Sequence, residues 1–242
     1  MKTVSRFIAA LDPAASAAVT MIASNAVRDP FGDLVPAFEG ATGIAVAVSF
    51  GGTLDIVARV ENGETADIVI IPDTRVDALL ARGLIASRTD LVRSGIGVAA
   101  RAGIPAPDVS SVAALTAALL AASSIVLSSG PSSFYLPGLF ERLGIAAEVT
   151  PKIVRLAPGL GVGVTLARGE GEIGFTQMSE LMSVGGIQYL GPLPGEVQHY
   201  TVFSAGVHAG AGDAARALLT FLLAPPAAPA LRRHGLEPAA PG

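Results

Sequence analysis

The stretch from Ala45 to Asp73 constrains the fold more than any other part of the sequence. It begins with alternating apolar residues typical of a strand, which Gly51-Gly52 ends. Thr53 then stands at the N-cap position of a segment whose apolar residues have helical spacing. Residues 66–71 form an apolar, β-branched run typical of a buried parallel strand. This strand–turn–helix–strand pattern predicts free backbone N–H groups and a hydroxyl at the carboxyl edge of a sheet, where an anion can bind without any Lys or Arg.

Strand-like and helix-like segments alternate along the rest of the chain. The predicted strands cover residues 19–23, 45–50, 66–71, 94–100, 124–127, 152–156, 172–176 and 200–208, and the predicted helices cover residues 30–39, 54–61, 75–82, 112–122, 134–143, 162–168 and 213–223. Because strands that alternate with helices pair in parallel, the order predicts an α/β fold with mostly parallel sheets flanked by helices.

Four of the predicted strands end in similar turns, and a helical pattern follows each of them. These turns are Ser24-Asn25, Gly51-Gly52-Thr53, the cluster at 128–133 and the segment at 158–161. Parallel sheets bind ligands outside their carboxyl ends, so the four turns could converge on one cleft. The alternative is that Ser, Gly, Asn and Thr simply form good turns and helix caps. None of the four turns contains Lys or Arg, which favours a site built from hydroxyl and N–H groups.

Composition excludes several classes of function. The chain has no Trp, 5% aromatic residues and a net charge of −4, which argues against nucleic acid as a partner. It contains no Cys and three scattered His, so we expect no metal site. The segment from Gly159 to Gly163 faintly resembles a dinucleotide fingerprint, but Val164 stands where the last Gly or Ala belongs. We therefore expect no cofactor.

The N-terminus has only part of the pattern of a signal peptide. Lys2 and Arg6 resemble its basic start, but the apolar stretch from Phe7 to Leu11 is short and ends at Asp12-Pro13. We interpret residues 1–17 as a mobile N-terminus. The apolar segment at 112–127 is too short and too polar for a membrane span, so none is predicted.

Several segments resemble the periplasmic molybdate-binding proteins, which are type II solute-binding proteins of ABC importers. In the first third of the chain these segments are IASNA (22–26), LVPAFEGATG (34–43), SFGG (49–52) and NGETADIVI (62–70). Later segments, which fit a divergent branch of that group, are RSGIGVA (93–99), GPLP (191–194), VFSAG (202–206) and GLEP (235–238). The similarity extends from about Val19 to Pro238.

This resemblance implies a two-lobed type II periplasmic-binding-protein-like fold with a ligand cleft between the lobes. Lobe 1 is then expected at 18–93 plus 204–242 and lobe 2 at 94–203. The expected partners are a small anionic ligand and an ABC transporter permease, with the chain itself a monomer. A periplasmic location follows from the family, whereas the weak signal sequence leaves the cytoplasm open.

In the molybdate-binding proteins, serine hydroxyls, a tyrosine hydroxyl and backbone N–H groups bind the oxyanion. The position of the tyrosine falls on Gln177 here, and an amide offers both a donor and an acceptor. This departure leaves the ligand open between an oxyanion such as molybdate and a small carboxylic acid. With Asn25 from the first turn, the predicted ligand-binding residues are Ser24, Asn25, Gly52, Thr53, Ser132, Ser133, Gly159 and Gln177.

The leading hypothesis is a solute-binding protein that closes around a small anion. The same branch includes aconitate isomerase, so the resemblance implies an isomerase of a small unsaturated polycarboxylate as the alternative. Such an enzyme needs a general base, and the four turns contain no Asp, Glu or His. Asp29 and Tyr135 are the nearest candidates, and no catalytic residue is assigned. An intracellular anion sensor is a third hypothesis.

Overall fold

The computed structural model describes residues 18–239, and the segment interpreted as a mobile N-terminus, residues 1–17, lies outside the described residues. The described chain forms two compact units. Unit 1 contains the residues up to Gly51, Asp55–Arg93 and the residues from Val202 onward. Unit 2 contains Gly52–Leu54 and Ser94–Thr201.

Strands and helices alternate through most of the described chain, as the sequence pattern predicts. The strands are β1 (Val19–Ser24), β2 (Val46–Gly51), β3 (Ile68–Pro72), β4 (Ser87–Arg101), β5 (Ile125–Leu127), β6 (Ile153–Arg155), β7 (Ile173–Gln177), β8 (Ile187–Pro192), β9 (Tyr200–Val207) and β10 (Leu236–Pro238). The helices are α1 (Arg28–Thr42), α2 (Thr53–Glu61), α3 (Asp73–Ala81), α4 (Val112–Ala121), α5 (Ser132–Arg142), α6 (Ala146–Val149), α7 (Val162–Ala167), α8 (Asp213–Leu223) and α9 (Ala228–Arg233).

Within residues 18–239, no single helix is long and apolar enough to cross a membrane. The pair formed by Asp213–Leu223 and Pro225–Arg233 meets the criterion together by length and composition alone, and it is bent by 61° at its break.

Unit 1 is built on a sheet in the order β2-β1-β3-β9. The β1–β2 and β1–β3 pairs are parallel, and β9 pairs antiparallel with β3. Apolar side chains fill both faces of this sheet, as expected for buried parallel strands. One face packs against α1 and α8 through residues such as Phe38 and Leu218, and the other packs against α2 and α3 through Ile56 and Leu79.

Unit 2 is built on a second sheet in which β5 pairs in parallel with both β6 and β7. β4 pairs antiparallel with β7 and with β8. One face carries a cluster that includes Phe175 and the α5 residues Leu136 and Phe140. On the other face α7 approaches β7 closely at Gly174, where an added Cβ would lie 2.5 Å from the Val162 Cγ1 atom.

The structure confirms the predicted α/β class with helices flanking largely parallel strands, and it differs from the predictions in several boundaries. β4 begins at Ser87, well before the predicted start at 94. α5 begins at Ser132 and contains Pro137, because Leu136, Leu139 and Phe140 are buried and tertiary packing outweighs the local cost of proline. The short elements without strong periodicity, which are α6, β8, α9 and β10, were not predicted.

Candidate functional site

In unit 2 the predicted residues follow three neighbouring parallel strands. Leu127 of β5 pairs with Phe175 of β7 and with Arg155 of β6, so the segments after these strands emerge at the same edge of the sheet. Gln177 ends β7, the serine cluster follows β5, and the turn that contains Gly159 follows β6. The fold of unit 2 therefore brings Gln177, Ser132, Ser133 and Gly159 to one carboxyl edge, where parallel sheets bind ligands.

The serine cluster at 128–133 is organised by its own hydrogen bonds. The Ser128 hydroxyl accepts from the Gly130 N–H at 3.1 Å and lies 3.3 Å from the Ser132 hydroxyl. The Ser133 hydroxyl donates to the Ser128 carbonyl, which commits its proton to the turn. Ser132 is fully buried at the start of α5, and its hydroxyl partner Ser128 can act as donor or acceptor. Ser132 is therefore the better placed of the two predicted serines to donate to a ligand.

Gln177 is buried, with 1% of its surface exposed. It lies on the same face of β7 as Phe175, two positions earlier, and this face packs against α5. The Gln177 Nε2 atom donates to the Thr201 Oγ1 atom at 3.2 Å. Its Oε1 atom has no hydrogen-bond partner among the described residues. A buried acceptor left in this state costs about 1–3 kcal/mol, so its retention needs a reason.

The Gly159 turn contributes backbone conformation more than side-chain chemistry. Gly159 is exposed and has a φ of +86°, in the left-handed region that favours glycine. The following helix, α7, is held to the turn by Thr165, whose hydroxyl donates to the Gly161 carbonyl at 3.0 Å.

In unit 1 the carboxyl edge has the same design. Ser24 of β1 pairs with Gly51 of β2, so Asn25 and Gly52 each follow one of two neighbouring parallel strands. Ser24 is buried, and its Oγ atom accepts from the Ala26 N–H at 3.3 Å, which leaves the hydroxyl proton available to a ligand. Thr53 is buried as well and is the first residue of α2. The segment Gly52–Leu54 follows β2 but is grouped with unit 2.

Arg28 is a cation at this edge that is not among the predicted ligand-binding residues. Its Nη2 atom donates to the Asn25 Oδ1 atom at 2.8 Å, and its guanidinium carbon lies 4.8 Å from the centre of the Phe50 ring. Phe50 pairs with Ala23, which explains how its ring reaches the residues after β1. The Asn25 oxygen is thus engaged, and the guanidinium is held beside a turn that itself contains no charge.

The two candidates for a general base differ in their surroundings. The Tyr135 hydroxyl donates to the Val197 carbonyl at 2.8 Å and accepts from the Arg142 Nη2 atom at 2.9 Å. Its ring stacks on His199 with the ring centres 4.7 Å apart. This hydroxyl is therefore committed to structure. Asp29 lies in the first turn of α1 and is half-buried.

The residues that the structure describes contain no group of three or more acidic or histidine side chains able to hold a metal ion. The polar groups at the two edges are hydroxyls, amides and backbone N–H groups, with Arg28 as a neighbouring cation. Such groups bind anions by hydrogen bonding.

Two α/β units with polar turns at the carboxyl edges of their sheets define the class as a two-lobed periplasmic-binding-protein fold. The chain belongs to the family of bacterial extracellular solute-binding proteins, which it matches over residues 19–237. The predicted resemblance to this group is confirmed.

Individual relatives support the same assignment. The chain is 36% identical over 230 residues to a Pseudomonas protein named aconitate isomerase, covering 91% of this chain and 87% of that protein. Its fold is similar to the periplasmic molybdate-binding protein of Azotobacter vinelandii, with a TM-score of 0.75, 17% identity and coverage of 93% and 100% of the two chains. It is also similar to the tungstate ABC transporter protein of Geobacter sulfurreducens, with a TM-score of 0.70, 17% identity and coverage of 90% and 99%.

Proposed function

We propose that this protein binds a small anion, and that it acts as the substrate-binding component of an ABC importer. The observation that carries the proposal is the common carboxyl edge of β7, β5 and β6 in unit 2, where Gln177, Ser132 and the Gly159 turn follow neighbouring parallel strands. Ser24, Gly52 and Thr53 provide equivalent groups after β1 and β2.

Native mass spectrometry and titration calorimetry test this proposal. The purified protein is expected to retain or bind a small anion, and Ser24→Ala and Ser132→Ala are each expected to reduce affinity about tenfold or more, since each removes one hydrogen bond to a charged ligand. Ser87→Ala is the matched control, because Ser87 is an exposed serine at the start of β4. Equal affinities for the wild type and both site variants would contradict the proposed site.

A second candidate function is isomerisation of a small unsaturated polycarboxylate, which the 36% identity to the protein named aconitate isomerase favours. Such a reaction removes a proton from one carbon and returns a proton to another as the double bond moves, so no atoms are gained or lost. Incubation of the wild-type protein with aconitate in heavy water distinguishes the two functions. Deuterium in the recovered carbon skeleton would establish catalysis, and an unchanged ligand would favour binding alone.

A further inference from the structure

The Gln177 amide has one hydrogen-bonded end and one unpartnered end. The Nε2 atom donates to Thr201 Oγ1, and the buried Oε1 atom has no partner within residues 18–239. An amide oxygen only accepts hydrogen bonds. A tetrahedral oxyanion without protons cannot satisfy it and would place one acceptor against another.

Within residues 18–239, two other buried side-chain oxygens lack partners, but their positions differ from that of Gln177. They are the Oγ atom of Ser179 and the hydroxyl of Tyr189. Tyr189 belongs to β8, and its ring lies against Gly97 and the core cluster around α7. Both groups carry a hydroxyl, which can rotate and either donate or accept. Gln177 combines a fixed acceptor with a place at the carboxyl edge that also carries Ser132.

We propose that the ligand presents an O–H donor to the Oε1 atom of Gln177, so that the protein selects a small hydroxy acid or a singly protonated polycarboxylate over a bare tetrahedral oxyanion. This inference rests on the proposed function, because it assumes that the edge with Gln177 and Ser132 binds the anion.

Titration calorimetry with matched probes tests the selection. Citrate and propane-1,2,3-tricarboxylate differ by one hydroxyl, as do malate and succinate, and molybdate and sulfate represent the bare oxyanions. In the wild type, we expect one hydroxylated probe to bind at least tenfold more tightly than its partner and than either oxyanion. If the donor is a protonated carboxyl, an unhydroxylated probe binds with uptake of one proton. Titrations in buffers of different ionisation enthalpy measure that uptake.

Two variants separate selectivity from folding. Gln177→Met keeps the side-chain length and removes the acceptor, so the preference for the hydroxylated probe is expected to fall to within about twofold. Thr201→Val removes the partner of Nε2, which frees the amide to turn its donor to the ligand, and oxyanions should gain affinity relative to hydroxy acids. The unfolding transition of each variant is recorded first, and whichever variant folds like the wild type provides the comparison.

The outcomes distinguish failure of this inference from failure of the proposed function. The inference would be overturned, with anion binding intact, if molybdate or sulfate bound more tightly than the carboxylates. Carboxylate binding with neither a preference for the hydroxylated probe nor proton uptake would overturn it as well. Failure of every probe to bind would contradict the proposed function as well.

Discussion

Gly174 is the position where one added methyl group should disturb unit 2 most informatively. An alanine Cβ there would lie 2.5 Å from Val162 Cγ1, 3.1 Å from Leu166 Cδ1 and 3.3 Å from the Val126 carbonyl oxygen. The valine is β-branched and therefore stiff, and the carbonyl belongs to β5, which pairs with β7. The strain must move α7 away from β7.

The expected change in the free energy of unfolding follows from two opposing effects. Overpacking a close-packed core costs about 1–3 kcal/mol. Replacement of glycine by alanine also restricts the unfolded chain, which returns about 0.4–1 kcal/mol. We therefore expect Gly174→Ala to lower the free energy of unfolding by about 1–2 kcal/mol.

Gly138→Ala is the matched control within the same unit. Gly138 lies inside α5, and an added Cβ would be 3.6 Å from an Arg142 Nη1 atom, an ordinary contact. Because alanine favours a helix interior over glycine, this variant should gain about 0.5–1 kcal/mol. Urea unfolding followed by circular dichroism measures both changes. The packing argument would be refuted if Gly174→Ala were as stable as the wild type with an unchanged denaturant slope. Equal losses of unfolding free energy in both variants would refute it as well.

Three further predictions concern charges and the site. Hydrogen bonds from the Ser123 side chain and N–H lower the pKa of Glu172 in the folded protein. The ionised carboxylate therefore stabilises the fold at pH values above its pKa in the unfolded chain. This contribution is lost as pH falls through the lower pKa of the folded state. The stability difference between wild type and Glu172→Gln should therefore shrink from pH 7 to pH 3 in urea titrations, and a constant difference would contradict this. Asp67 accepts from the N–H and the hydroxyl of Thr20, both at 2.8 Å, so Asp67→Ala should cost about 1–2 kcal/mol in the same assay, with no loss as the contrary result. Because hydroxyl and N–H groups form most of the proposed site, ligand affinity should fall only weakly between low and high ionic strength. Arg28→Gln should remove most of the remaining dependence of affinity on ionic strength. A steep dependence on ionic strength that survives this variant would point to another cation.

The sequence predicts well the features that depend on a single local sequence pattern. The glycine break after Phe50 and the N-cap position of Thr53 place a turn between β2 and α2, and the structure has its helix starting at Thr53. The serine cluster is found after β5 for the same reason, although Ser132 and Ser133 already belong to the helix. Local spacing therefore predicts which residues end the strands, even where it misplaces a boundary.

The features that the sequence could not predict depend on strand register and on distant partners. The contact between Arg28 and the Phe50 ring depends on the pairing of Phe50 with Ala23, and nothing local shows that pairing. The hydrogen-bond partner of the Gln177 Nε2 atom is Thr201, 24 positions away. β8 lacks the strict alternation of apolar and polar residues that marks a strand, because its pairing with β4 shifts register between Val98 and Ala99.

The two units differ in the chemistry that their edges present, and this difference bears on the proposed ligand. Unit 1 has the Arg28 guanidinium, which is hydrogen-bonded to Asn25, and the Ser24 hydroxyl, and these groups suit a carboxylate. Unit 2 has the Ser132 hydroxyl and the Gln177 acceptor, which suit a group that both accepts and donates. Under the proposed function, the unit 2 edge taken by itself favours a ligand that carries a donor beside an acceptor. Molybdate and sulfate present the same kind of oxygen in every direction, whereas a hydroxy acid carries a carboxylate and a hydroxyl on different carbons.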